Sequence, residues 1–235
     1  RADSISFFLD TANLEKAMAD VNFASARRAK WRPVVLSLLF ASLAPSAFAL
    51  DVSGVNVEER VRLANQDLVL NGAGIRYAAA GLVRVYVAQL YLPQKRNTSA
   101  EIGALKGPKR VTLALLRDIN ANELSKGLLG GMRANLSAAE QQKHFDSLLK
   151  LGAIFGMIPS LKKGNTITVD LVPGIGMTVN VNGKRVGDVF QDESFFQALL
   201  QIWLGPKPID ESLKPVLLGT VPSNDNSVSN VRDRY

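Results

Sequence analysis

Few side chains in this sequence could perform covalent, acid–base or metal chemistry. There is no cysteine and a single histidine, His144. The absence of cysteine excludes disulfides and thiolate nucleophiles, and one histidine cannot build a multi-histidine zinc site. A Ser-His-Asp triad would have to use His144. That residue lies beside Lys143 in a helical segment, so we predict that its side chain faces solvent.

Two further patterns, one of glycines and one of basic residues, argue against dinucleotide binding and nucleic-acid binding. Gly72-x-Gly74 lacks the third glycine and the following helix of a dinucleotide fingerprint, so we predict no cofactor. The formal net charge is +7, but the basic residues form neither a stripe nor an aromatic–basic repeat, which argues against a nucleic-acid partner. Lys162-Lys163 is interpreted as the charge pair of a turn, and Trp203 as a core residue.

The first fifty residues have the organisation of an export signal. Four basic residues between Arg27 and Arg32 precede an apolar run, residues 34–43, and Ala47-Phe48-Ala49 matches an A-x-A cleavage site. This run is shorter than the roughly 20 residues that cross a membrane. We therefore predict a signal peptide over 27–49, a mature chain without a membrane span, and periplasmic or secreted localisation. Residues 1–26 are expected to be an upstream segment outside the fold.

The predicted elements that would position the remaining polar side chains begin with strands. Val52 to Arg60 is an extended segment, and Asn71 to Gly74 has the composition of a turn. β-Branched and aromatic residues predict strands over 83–92 and 109–116. Two further strands, 166–172 and 177–181, are followed by Asn182-Gly183, a strong hairpin signal, and by a partner strand over 184–190.

Helical spacing predicts the other elements. Asn120 or Asn122 could cap a helix through Met132. Ser137 and Glu140 form a capping box that opens a helix carrying Phe145, Leu148 and Leu149. Residues 99–105, 194–204 and 210–218 complete the helices. Strands and helices in this order predict an α+β domain over 50–220, in which helices cover one face of a large antiparallel sheet. Residues 221–235 are expected to be a polar tail.

Three stretches resemble the chalcone isomerase superfamily. Asn71-Gly72-Ala73-Gly74-Ile75-Arg76, with the strand after it, is similar to the family's glycine-x-glycine-x-arginine turn and long strand. Leu116-Arg117-Asp118-Ile119 is similar to its arginine–aspartate segment. The segment from Phe195-Phe196 to Pro208-Ile209-Asp210 resembles the C-terminal helix of the bacterial, exported branch. Together they span about residues 54–219. The resemblance implies a chalcone isomerase-like open-faced sandwich with a ligand cleft between sheet and helices.

The same resemblance implies a reduced catalytic site. Arg76 matches the family arginine, and the strand threonine of true isomerases aligns with Tyr86. The family tyrosine falls at Gln141, the asparagine at Leu148, and the last threonine or serine at Ile202. An enone substrate would lose most of its hydrogen-bond donors in such a site. What remains is a guanidinium in an apolar cleft, which suits a carboxylate.

Three hypotheses follow. The first is a non-catalytic carrier that binds a fatty acid or similar small apolar acid at Arg76, as fatty-acid-binding relatives do. The second is an intramolecular lyase of chalcone isomerase type with a reduced site. The third is a structural or partner-binding domain, whose protein partner the sequence does not identify. A separate alternative for Arg76 is an internal ion pair with an acid such as Asp118.

Overall fold

A computed structural model of the protein describes residues 49–158 and 160–224. The predicted upstream segment, the predicted signal peptide apart from Ala49, and residues 225–235 of the predicted tail lie outside the described residues. None of the helices described is long and apolar enough to cross a membrane.

A curled, seven-stranded antiparallel sheet forms the centre of the fold, and each of its strands pairs with the next along the chain. A separate hairpin precedes it. The hairpin is β1 (Ala49–Val52) and β2 (Val55–Glu58), and the sheet is β3 (Arg60–Leu63), β4 (Gln66–Ala78), β5 (Val83–Leu92), β6 (Lys109–Leu115), β7 (Thr166–Val172), β8 (Gly176–Val181) and β9 (Lys184–Arg185).

Helices pack against one face of this sheet and enclose the main hydrophobic core. They are α1 (Ser99–Ala104), α2 (Ala121–Asn135), α3 (Ala138–Lys143), α4 (Phe145–Gly156), α5 (Ser194–Leu204) and α6 (Leu213–Leu217). The predicted α+β class, with helices over one face of an antiparallel sheet, is confirmed. On the opposite face, Val52 and Val57 of the β1–β2 hairpin pack with Ile75 and Val87 in a smaller apolar cluster.

The predicted N-terminal caps are present in the structure, but one predicted helix is interrupted. The Asn120 side chain caps α2, and the Ser137–Glu140 capping box is present. The helix that it opens stops at Lys143, and α4 starts at Phe145. His144 lies at the break. Its side chain is only 4% exposed, so the predicted solvent-facing position is wrong. Its Nδ1 lies 2.8 Å from Asp192 Oδ2, and this contact draws the ring inward.

The glycines at 72 and 74 belong to a strand, so the predicted turn at 71–74 is wrong. They lie inside β4, next to a register irregularity between Leu70 and Gly72. A Cβ at Gly72 would collide with the carbonyl oxygen of Val216 in α6. The glycine therefore allows the backbone of α6 to lie directly on the sheet. The Asn182-Gly183 hairpin is confirmed, although its second strand is only β9, followed by a bridge between Met177 and Phe190.

Candidate functional site

Arg76 and Tyr86 are neighbours across two paired strands. Arg76 on β4 lies opposite Tyr86 on β5, and the register shifts immediately after this pair. Side chains alternate along a strand, and Ile75 packs on the opposite face of the sheet. Arg76 and Tyr86 therefore share the helix-covered side, where Tyr86 is part of the main core.

A small cavity lies between these two residues and the helix layer. Its volume is about 160 Å³. The other residues of its wall come from β4, β5, α2 and the segments around α2 and α5: Ala78, Val85, Ile119, Glu123, Leu124, Gly127, Leu128 and Ile209. Apart from Arg76, Tyr86 and Glu123, these side chains are apolar or absent, so a ligand here would meet few polar groups.

The Tyr86 hydroxyl is fixed by a hydrogen bond from α5. Trp203 Nε1 donates to Tyr86 Oη over 3.0 Å, and both residues are buried. Burial raises the pKa of Tyr86 to about 12, although the Trp203 hydrogen bond and the charge of Arg76 act to lower it. The phenol is therefore protonated at neutral pH. Its O–H group has no acceptor among the described residues, so it can donate to a ligand.

Arg76 has an unsatisfied donor at the same cavity. Its Nε is buried without a hydrogen-bond partner within residues 49–158 and 160–224. Two carboxylates are near the site, but both are engaged elsewhere. Glu123 pairs with Arg117, and Asp210 accepts hydrogen bonds from the backbone N–H of Tyr77 and Ser212 at 2.7 and 2.9 Å.

The alternative of an Arg76–Asp118 ion pair is wrong. Asp118 accepts hydrogen bonds from Lys162 Nζ and from the backbone N–H of Lys163, each 2.9 Å long. Its carboxylate is exposed, lies between β6 and α2, and binds the turn at residues 162–165 before β7. The arginine–aspartate segment therefore stabilises a loop and does not neutralise the charge of Arg76.

These contacts define a site with two donors, Arg76 and Tyr86, in which the one wall carboxylate, Glu123, is paired with Arg117. A positive guanidinium beside a phenolic O–H is complementary to a carboxylate, which accepts several hydrogen bonds and carries the opposite charge. Within the described part of the chain, no cluster of His, Asp or Glu could hold a metal ion. An anionic acceptor is the kind of group that could satisfy both donors.

A larger, more open pocket adjoins this cavity. It has a volume of about 630 Å³ and shares Arg76, Ala78 and Ile209 with the cavity. Its remaining wall is more polar and includes Asp210 and Asn224. Arg76, Ala78 and Ile209 thus lie between a small, mostly apolar space and a larger, more polar one.

The other three sequence-predicted site residues lie elsewhere. Gln141 and Leu148 line a groove between α2 and the α3–α4 segment, away from Arg76. The Gln141 side chain donates to the carbonyl oxygen of Leu136 at 3.0 Å. Ile202 is fully buried and packs over Gly131, where α5 crosses α2. The structure brings together Arg76 and Tyr86 but does not bring the other three into their cavity.

Sequence reasoning missed Trp203 and Gly127 as parts of the site. Trp203 was predicted to be a core residue, which it is, but a buried indole N–H normally needs an acceptor. That requirement was a usable signal, although it does not identify Tyr86 as the acceptor. Gly127 lies mid-helix, where glycine is unfavourable, and its missing side chain leaves part of the cavity open.

Comparison with solved structures supports the same fold. The chain is similar to a fatty-acid binding protein of Arabidopsis thaliana, with a TM-score of 0.55 and 15% sequence identity, over 74% of this chain and 97% of the plant protein. A likeness at this identity shows a shared fold. No curated protein matches the chain.

The family follows from a sequence model. The model described as chalcone isomerase-like matches residues 49–219, which is well over half of the chain. This protein therefore belongs to the chalcone isomerase-like family.

Proposed function

We propose that this protein is an exported, non-catalytic member of the family that binds a fatty acid or a similar small apolar acid. The carboxylate would lie against Arg76 and Tyr86 in the cavity between sheet and α2. The observation that carries the proposal is a pair of donors without acceptors among the described residues at one small cavity: the buried Arg76 Nε and the Tyr86 O–H. Buried donors without partners are costly, and a carboxylate would satisfy both.

The fatty-acid binding protein of the same fold supports the proposed ligand class. The size of the cavity narrows the expected length of the acid. Ligand pockets usually measure about 300–1,000 Å³, whereas this cavity measures about 160 Å³. The head group and the first carbons would fill it, and a longer chain would have to leave past Ile209 into the polar pocket. Short acids should therefore bind at least as tightly as long ones.

Calorimetric titration of the full-length chain with hexanoate and palmitate tests the proposal. Hexanoate should bind, and Arg76→Gln should weaken binding by about 10- to 100-fold, the range expected for a lost charge-assisted hydrogen bond. Arg84→Gln is the matched control, because Arg84 bonds to Ser53 on the exposed surface. Equal affinities of wild type and Arg76→Gln would reject the site. Tight palmitate binding without hexanoate binding would reject the size argument.

Export is a separate part of the proposal. Cleavage after Ala49 would leave the β1–β2 pairing from Leu50 opposite Val57 onward intact. Expression in a bacterium, fractionation, and N-terminal sequencing of the periplasmic product should give a chain that starts at Leu50. Retention of an uncleaved chain in the cytoplasm would contradict export.

Ring closure is the weaker candidate. Arg76 and Tyr86 could hold a developing enolate, but Gln141 lies in the groove between α2 and the α3–α4 segment and adds no third donor to the cavity. We expect no acceleration of chalcone cyclisation above the uncatalysed rate. An acceleration that is lost in Arg76→Gln would instead favour the isomerase.

A further inference from the structure

An apolar stripe runs along the solvent side of α4. Phe145, Leu149, Ala153 and Met157 recur at every fourth residue, the last at the C-terminal cap of the helix. Phe145, Leu149 and Met157 are 52%, 59% and 58% exposed, and Ala153 is also exposed. Single exposed apolar residues are ordinary, but a continuous row of them marks an interaction surface.

The stripe has the form of a packing ridge. Residues four apart make the ridges that interlock when two helices cross. Gly152 and Gly156 lie beside it, and a Cβ at Gly156 would meet only open space, so another helix could approach the backbone closely. A groove of about 780 Å³ separates this side of α4 from α2 and offers room for an incoming ridge.

We propose that the occupant is a second copy of this chain, with the two α4 helices crossing antiparallel about a two-fold axis near Leu151. This arrangement sets Leu149 opposite the smaller Ala153, and Phe145 opposite the flexible Met157. Large side chains then meet small or adaptable ones at every step. A parallel pair would set each residue against itself and would align the helix dipoles unfavourably.

Charge is compatible with this pairing. Asp146 is the charged residue on the exposed side of α4, and in the antiparallel pair it faces Gly156, so the two Asp146 carboxylates lie at opposite ends. Lys150 is not available, since its Nζ donates to the carbonyl oxygen of Val189 over 2.8 Å. Charge does not favour an anionic lipid surface, because Asp146 opposes the exposed Arg133 that lines the same groove.

The contact is small. A helix of 12 residues is about 18 Å long, so the interface falls below the roughly 800 Å² per partner of a stable dimer. The dimer is therefore weak and forms at high protein concentration.

Sedimentation velocity of the full-length chain, from micromolar to near-millimolar concentration, tests the proposal. The weight-average sedimentation coefficient should rise toward the dimer value. Leu149→Glu should move this rise to at least 10-fold higher concentration, while Ile175→Glu, at a 57% exposed site in the β7–β8 turn, should not. A monomer at every concentration would overturn the proposal, and so would equal effects of the two variants.

Cross-linking tests the orientation. The chain has no cysteine, so single-cysteine variants report one contact each. In an oxidised equimolar mixture of Leu149→Cys and Ala153→Cys, the mixed disulfide should exceed the statistical half of the products, whereas Leu82→Cys paired with either should form no preferred product. Predominance of the Leu149–Leu149 disulfide would overturn the antiparallel arrangement. Binding of a monomeric wild type to phosphatidylglycerol vesicles, lost in Leu149→Glu, would assign the stripe to lipid instead.

Discussion

Asp192 connects a buried histidine to the start of α5. Its Oδ2 contacts His144, and its Oδ1 accepts hydrogen bonds from the backbone N–H and the hydroxyl of Ser194 at 3.0 and 2.5 Å. Partial burial acts to raise the pKa of Asp192, but the bonds from Ser194 and His144 outweigh it, so the pKa lies below its ordinary value. A depressed folded-state pKa contributes stability above the unfolded pKa, and this stability is lost as pH falls through the folded value.

Asp192→Asn should therefore destabilise the protein near neutral pH but not in acid. We expect a loss of up to about 1 kcal/mol in the free energy of unfolding at neutral pH, because asparagine keeps an acceptor for Ser194 but loses the charge that strengthens the bonds from Ser194 and His144. The loss should shrink below the ordinary aspartate pKa of about 3.9. Urea unfolding at both pH values measures it, with the exposed Asp188→Asn as control. A loss of the same size in acid would contradict the assigned role of the charge.

The Tyr86–Trp203 hydrogen bond should contribute to folding as well as to the site. Tyr86→Phe leaves a buried indole N–H without its acceptor, which costs about 1–3 kcal/mol. Once Trp203 is also replaced by phenylalanine, the removal of the hydroxyl should cost less. A double-mutant cycle by urea unfolding should therefore give a coupling energy of about 1 kcal/mol. Additive losses would show that the bond does not form in solution.

Among the elements, the contact between α6 and β4 is the least tolerant of added volume. Gly72→Ala would drive a methyl group into the carbonyl oxygen of Val216. Because backbone atoms cannot move aside cheaply, we expect a loss of about 3 kcal/mol or more in the free energy of unfolding.

Gly130→Ala is the matched comparison for Gly72→Ala. Gly130 is exposed on α2, and its added Cβ would meet open space, so the higher helix propensity of alanine should stabilise the protein by up to about 1 kcal/mol. Thermal unfolding of both variants measures the contrast. A tolerated Gly72→Ala would contradict the close approach of α6.

Local signals predicted most elements because each acts over a few residues. The Ser137–Glu140 box and the Asn182-Gly183 turn depend on hydrogen bonds and φ angles within four residues, and both appear in the structure. The failures concern contacts between distant segments. Nothing near Gly72 in sequence shows that α6 will lie on it, and nothing near His144 shows that Asp192 will hold its side chain inward.

The candidate site shows the same difference between what local signals predict and what depends on distant contacts. Arg76 and Tyr86 lie together because strand pairing places them opposite each other, and the family resemblance pointed to both. Gln141, Leu148 and Ile202 were expected to converge on the same cavity from α3, α4 and α5. Where a helix directs each side chain depends on how it packs on the sheet, and a single sequence does not specify that rotation.

At the scale of the whole molecule, Asn224 connects the C-terminal segment to the sheet. This residue lies beyond the family match, which ends at residue 219. Its Oδ1 accepts from the backbone N–H of Ile75 at 2.7 Å, and its Nδ2 donates to the Ile75 carbonyl at 2.8 Å. These two bonds replace a neighbouring strand where β3, which pairs only with residues 66–69, has ended.

Asn224→Ala should therefore weaken the domain, although it lies in the segment predicted to be a tail. Loss of both partners of Ile75 should lower the free energy of unfolding by about 1–3 kcal/mol. Hydrogen exchange at the Ile75 amide should accelerate together with this loss. Asn97→Ala serves as control, since that side chain is exposed and has no bond to any described residue. Unchanged exchange at Ile75 would show that the tail does not hold the strand edge.

The bond between Trp203 and Tyr86 has a practical consequence. The chain has two tryptophans, and the other, Trp31, lies in the predicted signal peptide. A processed protein would carry one tryptophan, buried and hydrogen-bonded to a residue of the cavity wall. An acid that takes a hydrogen bond from Tyr86 would change the electric field at that indole. The tryptophan emission spectrum of the unlabelled protein should then shift as the cavity fills, so hexanoate binding could be followed by intrinsic fluorescence.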